Sequence, residues 1–302
     1  MKRRSLITFA LIAISLVAIE SQTPAQGPNS NPKTSSKMLY HNGPLRTGRQ
    51  NMYFIFYGCW GMPACGAQGG DWATMIVPLD FSALIGNSPY LAIDTTYTDG
   101  AGQPATGTVI AGGYAVDSSY SHGADITKAD IEAIILDQFT NFRLPPDPQG
   151  IYVVLASADI ASNETGFCSP GAPPFHSYFD PYRSTYLPYI FLGNPNRCQT
   201  VAGAPFFSVG GTGLLTPNGN FAGDAMVLNL AHALNGLLTD PFDTGWYDRY
   251  GLENADKCTG TLGQTFTAAN GARANLRLAA GHDFLVEQNW VNDRRSRCAL
   301  SQ

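Results

Sequence analysis

The sequence predicts a single α/β or α+β domain, a mixed sheet with packed helices, stapled by disulfides. Three observations carry this. Runs rich in β-branched and aromatic residues, "NMYFIFYG" (51–58), "GIYVVLASADI" (150–160) and "YLPYIFLGNP" (186–195), are interleaved with segments of helical period. Six cysteines follow an apolar leader, an even set that implies a disulfide framework. Apolar residues make up 44% of the chain and charged ones 14%, with 32 Gly and 20 Pro, which excludes coiled-coil and disordered classes and suits a loop-rich globule.

The chain opens on Lys2-Arg3-Arg4, the apolar run 6–19 and the small residues Ser21 and Ala25. This is the pattern of a secretory signal peptide over residues 1–25, cleaved between 21 and 26. The apolar run is shorter than the roughly 20 residues a spanning helix needs. No later run is longer, so no membrane association is expected after cleavage. Residues 26–37 are polar, Pro-bearing and aperiodic, a disordered linker. The domain then runs from 38 to 302, without internal repeat or second boundary.

Within it, 51–58 is a buried strand bounded by Gly58. Residues 72–88 read as a helix interrupted by Pro78. The alternation in 107–117 predicts a strand whose Gly112-Gly113 pair marks a bulge. Ile131, Ile134, Ile135 and Phe139 recur at helical spacing in 126–142, with a capping-box start at Thr127 and Asp130 and a stop before Pro145. Residues 150–160 and 186–195 are two further strands. The Gly-rich stretch 199–220 reads as loop, 222–238 as a helix, and the remainder as irregular.

The net charge is -5, and removing three basic leader residues and Glu20 makes the mature chain more acidic. An acidic chain without a basic stripe excludes nucleic acid as a partner. The basic cluster Arg294-Arg295-Ser296-Arg297 reads as a solvated tail. Sequence alone leaves the pairing of the cysteines open. Proximity and segment order favour Cys59–Cys65, Cys168–Cys198 and Cys258–Cys298. No Cys-x-x-Cys spacing supports a structural zinc site.

A family likeness accumulates along the chain. "YHNGPL" precedes "MYFIFYG"; "YVVLASADI" leads into "GFCSPGAPPFHSYF"; then come "YIFLGNPNRC", "PNGNFAGDAMVLNLAHALNGLLTDPF", "KCTGTLG", "RLAAGHDFL" and Cys298. In this order the pieces resemble the phosphate-induced protein (EXORDIUM) family. The resemblance implies a secreted protein of the cell wall or extracellular space, linked in plants to cell expansion and to growth responses to hormone and carbon status. No enzymatic activity is firmly attached to the family. Cys59 and Cys65 look additional to its pattern, and "CSPGAPPFH" lacks a cysteine usual there, so the plant role is not transferred. The leader suits a bacterial secreted protein equally well.

A second likeness concerns the helix at 222–238. Zincin-like hydrolases read His-Glu-x-x-Glu before Thr-Asp-Pro. Anchored on Thr239-Asp240-Pro241, their first ligand falls on His232, the general base on Ala233 and the second ligand on Gly236, while Trp246-Tyr247-Asp248 and Asp256-Lys257-Cys258 are retained. The expected fold is zincin-like in this sense. Catalytic zinc needs three protein ligands and a carboxylate to take the proton from bound water. Ala233 and Gly236 supply neither. His232 and Asp256 remain the only metal candidates, and the helix reads as a metal site that lost its parts. On a helical wheel Val227, Leu230, Ala231, Leu234, Leu237 and Leu238 form one stripe, with His232 nearly opposite beside Ala225, Asn229 and Gly236. The expected role of His232 is a hydrogen bond to Asp256 or a loop carbonyl.

Other candidates are thinner. His176 follows a Pro-Pro turn and reads as a packing or surface residue. No Gly-x-Ser-x-Gly elbow is present. Asp224, Asp240 and Glu253 are carboxylates whose placement across a cleft a glycosidase would require.

Three readings of function follow. The first is a secreted, non-catalytic protein of the cell wall, envelope or extracellular space (periplasm in a two-membrane bacterium), with cell-wall polysaccharide or an envelope component as partner and no cofactor. The second is a divergent zinc-dependent hydrolase. The third is a carbohydrate-binding module presenting Trp246, Tyr247 and Tyr250.

Overall fold

The computed structural model describes residues 36–61, 72–169, 173–198, 208–210 and 213–302. The leader, most of the 26–37 linker, Cys65 and much of the Gly-rich stretch therefore lie outside the described residues. Ser36, in the expected linker, donates its hydroxyl to Asp248.

Strand β1 (Met38–Tyr40) pairs later with a short strand, and β2 (Gln50–Tyr57) enters the main sheet. Helix α1 (Trp72–Leu84), β3 (Val109–Asp117), α2 (Lys128–Thr140) and β4 (Gly150–Ala156) follow. Next come β5 (Phe175–Phe179), β6 (Leu187–Leu192), the small hairpin β7 (Ser208–Gly210) and β8 (Gly213–Leu215), and helix α3 (Phe221–Thr239). The main sheet is five-stranded in the order β3-β2-β4-β6-β5. All its pairings are parallel except β5 with β6. It is a mixed α/β sheet.

The sheet has two buried faces, and that explains the near-continuous apolar strands. Successive side chains of a strand point to opposite faces. Met52, Phe54 and Phe56 of β2, with Ile151, Val153 and Leu155 of β4, pack under α1 and α3. Tyr53, Ile55 and Tyr57, with Tyr152 and Val154, pack under α2 through Ile131, Ile134, Ile135 and Phe139. The step from β2 to β3 and the step from β3 to β4 run in opposite directions across the sheet. Right-handed crossovers then place α1 and α2 on opposite faces.

Several local expectations are refined. Pro78 lies inside α1 without interrupting it. At Gly223 a Cβ would lie 2.8 Å from Val77 Cβ and 3.1 Å from the Thr74 carbonyl. Glycine there allows α3 to approach α1 closely, and this packing outweighs the cost of Pro78. The capping box of α2 is present, with Thr127 and Asp130 bonded reciprocally. The β2–β3 register shifts once, between Met52 and Tyr53 of β2, opposite the Gly112-Gly113 pair.

Beyond α3 the chain is not irregular. Strand β9 (Trp246–Asp248) pairs with β1. Three further pairs follow: β10 (Phe266–Thr267) with β11 (Arg273–Ala274), β12 (Leu276–Arg277) with β13 (Asp283–Phe284), and β14 (Asn289–Val291) with β15 (Arg297–Ala299). The basic cluster is thus not a free tail. It lies in the exposed turn from β14 into β15, with Arg297 paired to Asp293 at 3.0 Å. Cys168 pairs with Cys198 and Cys258 with Cys298. Cys59 is also disulfide-bonded, whereas its expected partner Cys65 is outside the described residues.

Candidate functional site around helix α3

Helix α3 starts on Asn220, whose side chain accepts from the Gly223 amide. Its stripe of Val227, Leu230, Leu234 and Leu238 joins the core over the sheet. The opposite side is covered too. Leu276, Leu278, Phe284, Val286 and Val291 from the C-terminal hairpins enter the same core cluster. A helix enclosed on every side keeps polar side chains only if they are paired.

His232 is 5% exposed and is paired twice. Its Nε2 lies 3.1 Å from Asp256 Oδ1, and its Nδ1 lies 2.9 Å from Glu287 Oε2. The carboxylates are fixed in turn: the Gly260 amide donates to Glu287 Oε1, and the Glu253 amide donates to Asp256 Oδ2. Burial alone would lower the His232 pKa. The hydrogen bonds and charges of Asp256 and Glu287 outweigh it and raise the value to about 9. Burial pushes Asp256 upward, but the hydrogen bond and charge of His232 hold it below its ordinary value. The two carboxylates therefore favour the imidazolium, which donates from both nitrogens.

Gly236, one turn on, faces a second pair. His176 Nε2 on β5 lies 2.9 Å from Glu253 Oε2. A Cβ at Gly236 would sit 2.1 Å from that same carboxylate oxygen and 3.0 Å from His176 Nε2. The space a second ligand side chain would need is filled. Burial lowers the His176 pKa, but Glu253, Asp240 and Asp243 together raise it. A zinc ion, as the helix likeness implies, does not fit these residues: both His232 nitrogens are engaged by carboxylates, and the base and second-ligand positions, Ala233 and Gly236, lack functional atoms.

Asp240, Asp243 and Glu253 bring one oxygen each within 4.8 Å of one another. Asp240 is held by the Gly245 amide at 2.6 Å, and burial, with the charges of Glu253 and Asp243, raises it to about 6. Asp224, the other glycosidase candidate, is bonded by the amide and side chain of Asn218 at the start of α3. Asp224 is thus a helix length away from Asp240, which caps the other end of α3.

The retained motifs have structural work. Asp248 of the Trp-Tyr-Asp segment and Lys257 of the Asp-Lys-Cys segment form a fully buried ion pair at 3.1 Å, and Lys257 Nζ lies 4.8 Å from the centre of the Trp290 ring. Trp246 bonds the Thr98 carbonyl and stacks edge-on against Tyr97, and Tyr247 stacks on His41. Only Tyr250 is broadly exposed, at 45%, so the three aromatics form no open sugar-binding platform.

Sequence reading missed Glu287, which lies 55 residues from His232 with no motif of its own. It also missed the buried polar cluster beside this site. Asn254 and Asn289 both donate to Asp94, and Asn235 donates to the Tyr90 hydroxyl. Burial raises Asp94 well above the ordinary carboxyl range, against the hydrogen bonds from Asn289 and Asn254.

The class defined here is a disulfide-stapled α/β protein with a helix enclosed by C-terminal hairpins and neutralised by carboxylate–histidine pairs. Residues 38–299 match the phosphate-induced protein 1 conserved region, and the chain belongs to that family. It is 28% identical to Protein EXORDIUM-like 5 of Arabidopsis thaliana, over 88% of this chain and 81% of that protein. It is 26% identical to Protein EXORDIUM of the same plant, over 85% and 82%. It is 27% identical to Protein PHOSPHATE-INDUCED 1 of Nicotiana tabacum, over 74% and 72%. No solved structure matches it.

Proposed function

We propose that this chain is an exported, non-catalytic member of its family, acting in the cell wall, the envelope or the extracellular space. In this reading α3 is a zincin-like hydrolase helix kept as scaffold. The observation that carries it is the engagement of both His232 nitrogens by carboxylates, 3.1 Å and 2.9 Å away, while Glu253 fills the space at Gly236. Export is supported by the leader pattern of residues 1–25 and by the paired cysteines.

Expression of the full chain with its leader in a secreting host tests both halves. The expected product is extracellular or periplasmic, with a new N-terminus between 22 and 27 and no stoichiometric zinc by elemental analysis. It has no peptidase activity that a chelator abolishes. An intact leader in the cytoplasm would overturn export. About one zinc per chain, lost in His232→Ala, would restore the hydrolase.

A further inference from the structure

We propose that Asp94 sits in the fold as a neutral carboxylic acid, and that its proton locks the C-terminal cover onto α3. Asp94 lies in a short 3-10 helix (Leu91–Thr96) and is fully buried. Its Oδ1 accepts from Asn254 Nδ2 at 2.9 Å and from Asn289 Nδ2 at 2.8 Å. Its Oδ2 has no hydrogen-bond partner among the described residues. The same holds for Oδ1 of Asn235 on α3, which is also fully buried.

The surrounding bonds fix which atom is which. The Ala255 and Trp290 amides donate to Asn254 Oδ1 and Asn289 Oδ1, so both side chains present N–H to Asp94. The Tyr90 hydroxyl donates to the Glu287 carbonyl and therefore accepts from Asn235 Nδ2 at 2.8 Å. That leaves Asn235 Oδ1 as an acceptor. Two buried oxygens of one cluster thus lack a donor. A proton on Asp94 Oδ2 supplies it, and Asn235 Oδ1 is the acceptor the cluster offers.

The neighbouring charges are spent elsewhere. His232 pairs with Asp256 and Glu287, and Lys257, over the Trp290 ring, pairs with Asp248. Tyr90 and Tyr97 are phenols that burial and Asp94 hold protonated. A buried carboxylate without a counter-charge takes up a proton.

The proton has a mechanical consequence. Asn254 also donates to the Asn235 carbonyl of α3 and stands two residues before Asp256. Asn289 opens β14, two residues after Glu287. Asp94 therefore ties together the two segments that close over His232. The cover stays shut while the acid is neutral and loosens where it ionises. The unfolded chain releases this proton near the ordinary Asp value, about 3.9, while the fold keeps it. Stability is thus lost with rising pH above that value, until the folded acid ionises.

The test compares the full mature chain with Asp94→Asn, which puts an N–H donor at the Oδ2 position at every pH. The gap in melting temperature should widen in favour of the variant by about 3–5 °C per pH unit from about pH 4 to 7. The His232 titration is common to both proteins and cancels. Infrared spectra of the wild type at neutral pH should show a carboxylic-acid carbonyl band that Asp94→Asn lacks. Amide exchange in 285–291 should rise with pH more steeply in the wild type than in the variant. A variant that fails to fold or melts below the wild type at neutral pH overturns the proposal. So does a gap that ignores pH, a missing carbonyl band, or equal exchange in the two proteins. A wild-type melting temperature lowered by a calcium chelator would put a cation where we place the proton, and overturns it too.

Discussion

His232 shows how a residue suited to metal binding becomes a structural cation. Its ring lies between Asp256 and Glu287, and its pKa is raised from 6.5 to about 9. A raised histidine stabilises the fold fully below its unfolded value, and that contribution is lost as pH rises through the folded value. The window is therefore pH 6.5 to about 9. The difference corresponds to roughly 3 kcal/mol at most. Urea unfolding of the wild type should lose stability across that window, and His232→Gln should remove this slope while lowering stability at pH 6.5. Equal slopes in both proteins would mean that the ring does not titrate there.

At the scale of elements, α3 depends on the sheet beneath it more than on its own sequence. Leu234 is 1% exposed and belongs to the core cluster that contains Phe54, Phe56 and Val153. Leu234→Ala should cost about 2–5 kcal/mol in denaturant unfolding, the range for a buried leucine that leaves a cavity. A loss below about 0.5 kcal/mol would place the stripe on a deformable surface. The stripe was legible because apolar residues at helical spacing need a partner face. Strand β5 was not legible. "FHSYF" follows two prolines, is mostly half-buried, and gains its extended form from antiparallel pairing of Phe175 to Phe179 with β6. A strand whose stability comes from its neighbour carries little signal of its own.

For the whole molecule, the C-terminal hairpins close the fold over α3, and Cys258–Cys298 holds them there. The bond spans 40 positions, and removing such a loop constraint costs about 3–4 kcal/mol in the chain-entropy account. The Cys258→Ala/Cys298→Ala double variant should lose about that much and should expose the α3 cover first, read as faster hydrogen exchange in 276–291 than in β2 or β4. Uniform exchange across these segments would show that the hairpins do not open as a separate unit. Denatured, unreduced protein should show no titratable thiol, since none of the described cysteines is free.

By itself the sequence determined the α/β class, the three long apolar strands, the start and stop of α2, and the family. It also determined the missing base and second ligand at Ala233 and Gly236, whereas segment order only favoured the two disulfides that the fold then paired. These are local facts, written in period, capping residues and motif order. Tertiary structure alone decided what surrounds His232. The wheel placed it away from the main stripe, a position that reads equally as cleft or contact. The hairpins after residue 260 made it a contact and brought Glu287 to its second nitrogen. Strands of two or three residues have no periodicity to read. Nor does any spacing rule announce a carboxylate that arrives from 55 residues away, where the low dielectric around α3 requires a charged partner.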